Sequence, residues 1–223
     1  MPTIFTHPAP IFALGAALGF RRVSPRLFWL AAFCTILPDF DVIGFRLGVS
    51  YGDLFGHRGF SHSLLFALIC GALASLAAPW LRCRRALAFV LIFAAVASHI
   101  ALDAATSGGL GVAAFYPISS ERYFFPWRPI RVSPLALTAF FSERGLNVLR
   151  SEFFWVWLPC LSLALGAFTA RWVAGKRVAR AAAAIDLAQE AGFIASLDLD
   201  ENAAADSRAR VKAAIRAKHH RQS

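Results

Sequence analysis

The chain has 223 residues, 58% hydrophobic and 16% charged, with a mean hydropathy of +0.57. Soluble domains run at roughly 45–50% apolar and about 25% charged, so this composition excludes a disordered chain and argues against a simple soluble enzyme. The net charge of +10 does not signal nucleic acid, because most basic residues sit at the ends of apolar runs or in the last 48 residues, and the tail shows no aromatic-basic interleaving.

Five apolar runs stand out in chain order: 8–20, 27–37, 63–81, 86–102 and 153–170. A helix crosses a bilayer with about 20 apolar residues, or about 17 at the short end. The third, fourth and fifth runs meet that length and are expected to span. The first two are shorter and predict a short N-terminal helical pair, either shielded spans or a hairpin dipping partway into the membrane. The opening residues lack a basic region and the first run ends at Arg21-Arg22, so insertion through the chain's own spans is expected rather than a cleaved signal. Pro117, Pro126, Pro129 and Pro134, with the Ser107-Gly108-Gly109 break, forbid one long helix across 104–152. An irregular, aromatic-rich capping loop is expected there, with Phe124, Phe125 and Trp127 suited to interfacial depth. From Lys176 the chain turns polar, with nine Lys/Arg against six Asp/Glu. The predicted fold is all-α: a polytopic membrane helical bundle over 1–175, an irregular cap, and a polar helical or flexible tail over 176–223. Cys34, Cys70, Cys83 and Cys160 form no CxxC pair and read as small buried hydrophobes.

The ionisable residues are placed unevenly along this frame. His7 precedes the first run, Asp39 and Asp41 follow the second, Asp53, His57 and His62 precede the third, and His99 and Asp103 close the fourth. Threaded back and forth, the chain brings all eight to one membrane face. The arginine clusters at 21–26, 82–85 and 171–180 fall on the other, and His219 and His220 lie in the tail. Ionisable groups at membrane depth are costly unless paired or holding an ion. Imidazole mixed with carboxylate is what Zn²⁺, Mn²⁺ or Fe²⁺ prefers. His99 and Asp103 are four apart and share a helical face. Asp39 and Asp41 are two apart, which in an extended loop turns both carboxylates to one side. Gly59 allows the bend by which His57 and His62 converge. Taken singly, a capped helix end, a turn aspartate or an Asp53–Arg58 pair explains each piece; it is the convergence that points to a metal.

Leu37-Pro38-Asp39-Phe40-Asp41, His57-Arg58-Gly59-Phe60-Ser61-His62-Ser63 and His99-Ile100-Ala101-Leu102-Asp103-Ala104-Ala105-Thr106-Ser107-Gly108-Gly109 resemble the motifs of the YdjM-like (DUF457) family of predicted membrane-bound metal-dependent hydrolases. His7 and the 117–125 stretch fit the same pattern, and the resemblance covers about residues 3–175. Phe60-Ser61 departs slightly from it, since Thr or Leu is commoner before the second histidine. The resemblance implies a remote similarity to the all-helical zinc phospholipase C and P1 nuclease group, through the His99-x-x-x-Asp103 helix.

A metal-dependent hydrolase is therefore the expected function, acting on a phosphoester or lipid-linked substrate at the membrane face. His7, Asp39, His57, His62, His99 and Asp103 are the expected ligands of a divalent ion, zinc first, with manganese or iron as alternatives. Asp41 or Asp53 is expected to orient a ligand or act as general base, and Arg58 to hold a substrate phosphate. The alternative is a non-enzymatic membrane protein with a structural or transit metal site. The expected location is the bacterial inner membrane, with clusters 21–26 and 82–85 and the tail cytoplasmic and the metal face outward.

Overall fold

The computed structural model describes residues 1–19, 23–134, 140–190 and 209. Part of the 21–26 arginine cluster, and His219 and His220, lie outside them. Among the described residues the regular structure is helical, with two isolated bridges and no strand. Two compact units divide the chain, residues 1–168 and 169–223, and the site lies wholly in the first.

Helix α1 (Ala9–Leu18) starts at a proline-rich N-terminus, where missing N–H groups cost nothing. Helix α2 (Pro25–Cys34) is capped by the Ser24 hydroxyl, which accepts from the Leu27 N–H at 3.2 Å. Pro38 cannot continue that helix. The chain resumes as a 3₁₀ helix, Leu37–Leu47, bent 43° from α2 and closed by Gly48 in the left-handed region.

The third apolar run departs from expectation. Ser63 caps helix α3 (Leu64–Leu76), which stops after 13 residues. A one-turn helix α4 (Ala78–Leu81) follows across Pro79. Pro79 offers no N–H to the preceding turn, so the run does not form one continuous span. Helix α5 (Arg85–Ala104) is uninterrupted over 20 residues. Helix α6 (Glu143–Glu152), a π-helical turn (Phe153–Trp157) and helix α7 (Leu158–Glu190) succeed one another without a break. The last apolar helix thus begins ten residues before the apolar run, because the polar helix α6 runs into it through the π turn without a break. Two helices are long and apolar enough to cross a membrane, Arg85–Ala104 and Glu143–Asp186, or three if the bent α2–3₁₀ pair counts as one span.

Helices α3 and α5 make the central pair. Small residues allow their close approach: Ala67 and Ala74 are buried, and a Cβ on Gly71 would lie 3.1 Å from the Phe89 carbonyl oxygen. Around them Leu27, Ala31, Leu81, Ile92 and Val96 form one apolar core. Ser24 Oγ donates to the Leu81 carbonyl and Arg26 to that of Trp80 at 2.8 Å, tying α2 to α4. The four cysteines are free thiols. The 105–134 stretch is irregular and lies over the motif segments. Ala113 N–H donates to the Arg58 carbonyl at 3.0 Å, Phe125 N–H to that of Ala104 at 2.9 Å, and Arg122 to that of His57 at 2.9 Å.

Candidate metal centre

Four segments deliver the site. His7 stands just before α1, Asp39 and Asp41 in the 3₁₀ helix, His57 to His62 in the turn before α3, and His99 and Asp103 on the last turns of α5. The turn 54–60 is very tight: a Cβ on Gly59 would lie 2.1 Å from the Leu54 carbonyl oxygen, so only glycine fits.

Asp39, His62, His99 and Asp103 each offer a ligand atom within 4.8 Å of the others, and all four are buried. His62 Nε2 lies 3.7 Å from Asp39 Oδ1, 3.4 Å from Asp103 Oδ2 and 3.0 Å from His99 Nε2. His99 Nε2 is 3.6 Å from Asp39 Oδ1. His7 stacks on His99 with ring centroids 3.9 Å apart, its Nε2 3.6 Å from Asp39 and 3.9 Å from Asp103.

The tautomers follow from the outer nitrogens. His99 Nδ1 donates to the Thr35 carbonyl oxygen at 2.6 Å. His62 Nδ1 faces Asp41 Oδ2 at 3.2 Å and Ser61 Oγ at 3.0 Å, both acceptors for its proton. With both Nδ1 atoms protonated, both Nε2 atoms are left to face each other across 3.0 Å, where a metal ion or a proton can stand between them. Two buried carboxylates face the same space. Both oxygens of Asp39, both of Asp103 and both nitrogens of His7 have no hydrogen-bond partner. Buried acceptors arranged in this way repel one another unless positive charge lies among them, a metal ion or, without one, an extra proton on His62. Ligands of one tetrahedral zinc, each about 2.0–2.2 Å from the metal, stand roughly 3–3.5 Å apart. The donor set fits a divalent ion.

Asp39 and Asp41 do not point to one side. An extended loop would align them, but a 3₁₀ helix turns about 120° per residue, so residues two apart diverge. Asp39 faces the centre, while Asp41 reaches the far nitrogen of His62. Asp41 also accepts from His57 Nδ1 at 2.7 Å, Ser61 Oγ at 2.6 Å and Arg58 N–H at 3.1 Å. His57 therefore joins Asp41 and His62 in a second, adjoining group rather than the central four.

Two expectations need correction. Asp53 lies outside both groups: it is exposed, and its carboxylate closes a local turn by accepting from Ser50 N–H at 2.9 Å. Arg58 is not offered to a substrate. It is fully buried, its Nε 2.9 Å from Asp103 Oδ2, and its terminal nitrogens donate to the Gly108 carbonyl and Thr106 Oγ1, each at 2.9 Å. Its guanidinium is instead engaged by Asp103, Gly108 and Thr106. Thr35 contributes only a carbonyl and so leaves no side-chain signal in the sequence. Glu152, a lone acid at the start of an apolar run, leaves none either.

The family model described as YdjM inner membrane protein matches residues 1–178. The chain is 41% identical over 164 residues to inner membrane protein YbcI of Escherichia coli (strain K12), covering 73% of this chain and 95% of that protein. No solved structure matches.

Proposed function

The chain belongs to the YdjM inner membrane protein family, and from that premise we propose that it is an inner-membrane metal-dependent hydrolase acting on a phosphoester or lipid-linked substrate at the membrane face. The observation that carries this reading is the pair of facing Nε2 atoms 3.0 Å apart, set among buried carboxylate oxygens that have no hydrogen-bond partner. Asp39, His62, His99 and Asp103 hold the ion, and His7 completes the set. When bound, a divalent ion lowers the pKa of a water and polarises a phosphoryl oxygen.

The chain's own residues prepare that site. Asp41 keeps the His62 proton on Nδ1 and leaves Nε2 free for the ion. Arg58 fixes the Asp103 carboxylate and offsets part of its charge. The His57–Asp41 pair, one step from the centre, supplies a place where a proton can be taken up or released. By the positive-inside rule Arg82, Arg84 and Arg85 face the cytoplasm and the metal face is outward.

One observation favours a second reading, a structural or transit ion. His62, His99 and Asp103 are 0% exposed and Asp39 4%, and a closed coordination sphere marks a structural site, whereas catalysis keeps a water position. The experiment is metal analysis of the detergent-purified protein beside His99→Ala, followed by turnover of a chromogenic phosphodiester and of phospholipid vesicles. A hydrolase binds zinc stoichiometrically and loses both metal and turnover in His99→Ala. Metal without turnover on either substrate selects the structural reading, and a metal-free wild type rejects both.

A further inference from the structure

Glu152 has no part in the centre described above, yet it is 1% exposed and ends α6, just before the apolar stretch of the last long helix. A carboxylate buried at that depth is costly unless its hydrogen bonds are complete. Among the described residues no side-chain cation forms an ion pair with it, and the Met1 ammonium acts on it only through space. Its partners all come from the N-terminal segment: Thr3 N–H, Thr3 Oγ1 at 2.6 Å and Thr6 Oγ1 at 2.7 Å. Trp157 Nε1 donates to the same Thr6 hydroxyl at 3.0 Å.

The π-helical turn explains how both side chains reach one threonine. Residues five apart in an α-helix, at 3.6 per turn, are separated by about 140° around the axis. The π turn closes with the Leu158 N–H bonded to the Phe153 carbonyl, an i→i+5 bond that brings residues five apart towards one face. Glu152 and Trp157 are five apart, and together they grip the Thr3–Thr6 turn. That turn leads directly into His7.

His7 is the one central histidine that needs such help. His62 is fixed through Nδ1 by Asp41 and Ser61, and His99 by the Thr35 carbonyl. Neither nitrogen of His7 has a hydrogen-bond partner, so its ring is placed by its backbone and by stacking on His99.

We propose that Glu152 is a positioning residue for the metal centre, acting with Thr6 and Trp157 to clamp the N-terminal segment so that His7 is held over Asp39 and Asp103. This rests on the reading of His7 as a ligand. The clamp makes completion of the centre depend on the docking of the last apolar helix against the N-terminal segment.

The test is Zn²⁺ affinity of the full-length protein in detergent, by competition with a chromogenic chelator. Outer partners of metal ligands typically contribute 10- to 100-fold in affinity. Glu152→Ala and Thr6→Val are expected to weaken binding by about that factor, and Glu152→Gln, which keeps an acceptor for the threonines, to recover most of it. In a His7→Ala background, Glu152→Ala is expected to add less than about twofold, because the two changes remove one contribution. A full additional loss in that background would show a general role in folding and overturn the proposal, as would unchanged affinity in both single variants. Amide hydrogen exchange of the metal-free protein reads the clamp separately. Exchange at residues 3–8 should rise in Glu152→Ala while α5 stays protected, and no rise would overturn the clamp. A wild type that binds no zinc would sink the ligand role of His7, and with it the positioning role, while the exchange result still reports whether the segment is held.

Discussion

At the scale of single residues, the centre is governed by which nitrogen of each histidine carries the proton. Asp41 decides this for His62, and Asp41→Asn replaces a strong acceptor with an amide that can present either donor or acceptor. Zinc affinity should fall by about 10- to 100-fold, measured by chelator competition, with the fold retained. Asp53 tests the converse. Its carboxylate serves only a surface turn, so Asp53→Asn should leave affinity within about twofold and stability within about 0.5 kcal/mol. The pH dependence also follows from His62, which lies in the turn outside the long helices. Burial lowers its imidazole, but the neighbouring carboxylates of Asp103, Asp39 and Asp41 outweigh that and raise it to about 10. In the metal-free protein His62 therefore carries an extra proton at neutral pH, and a metal must displace it. Zinc affinity is expected to rise by about tenfold per pH unit between pH 6 and 8, with about one proton released per ion from this residue; pH-independent affinity would contradict the assignment.

At the scale of elements, the spacing of α3 and α5 sets the distance between His62, just before α3, and His99, on α5. Gly71 makes that approach as close as it is, with the Phe89 carbonyl oxygen 3.1 Å and its ring 3.2 Å from where a Cβ would stand. Gly71→Leu must push the helices apart. It is expected to lower thermal stability in detergent by about 1–3 kcal/mol and to weaken zinc binding in parallel. The cap is coupled to the centre through Arg58, and here a second glycine is essential. Gly109 has φ +93°, and a Cβ on it would meet Arg58 Nη1 at 2.8 Å and the Tyr51 hydroxyl at 2.9 Å. Gly109→Ala combines backbone strain of about 1–3 kcal/mol with displacement of the guanidinium that holds Asp103. A variant as stable and as zinc-tight as the wild type would refute that coupling.

At the scale of the whole molecule, the distribution of charge predicts topology. Arg82, Arg84 and Arg85 form a short-loop cluster of the kind retained in the cytoplasm. The arginines near the opposite face are in part engaged: Arg122 donates to the carbonyls of His57, Tyr51 and Asp53, and Arg128 lies over the Phe124 ring at 4.6 Å. A reporter fused after the last residue is expected to be active in the cytoplasm, and activity only in the periplasm would reverse the orientation. Truncation after about residue 180 is expected to spare zinc binding, since the central residues lie in the first unit, 1–168; loss of the metal would count against that division of labour.

The sequence by itself determined the family and the helical membrane class, and it set His7, Asp39, His57, His62, His99 and Asp103 on separate segments; the structure gathers Asp39, His62, His99 and Asp103 together and places His57 in an adjoining group. Apolar run length, helical periodicity and the position of an ionisable residue at a run's end are local properties, and each can be read without a partner. Other features belong to no single segment. The divergence of Asp39 and Asp41 depends on a 3₁₀ helix instead of an extended loop, and the two conformations share the same residues. The capture of Arg58 by Asp103, Thr106 and Gly108 required knowing that the cap folds back over α5. The break in the third run at Ala77 reflects a proline whose effect on an apolar segment depends on what packs beside it. The grip of Glu152 on Thr3 and Thr6 joins residues nearly 150 positions apart. Such long-range hydrogen bonds leave no periodicity in the chain, and only the tertiary structure decided them.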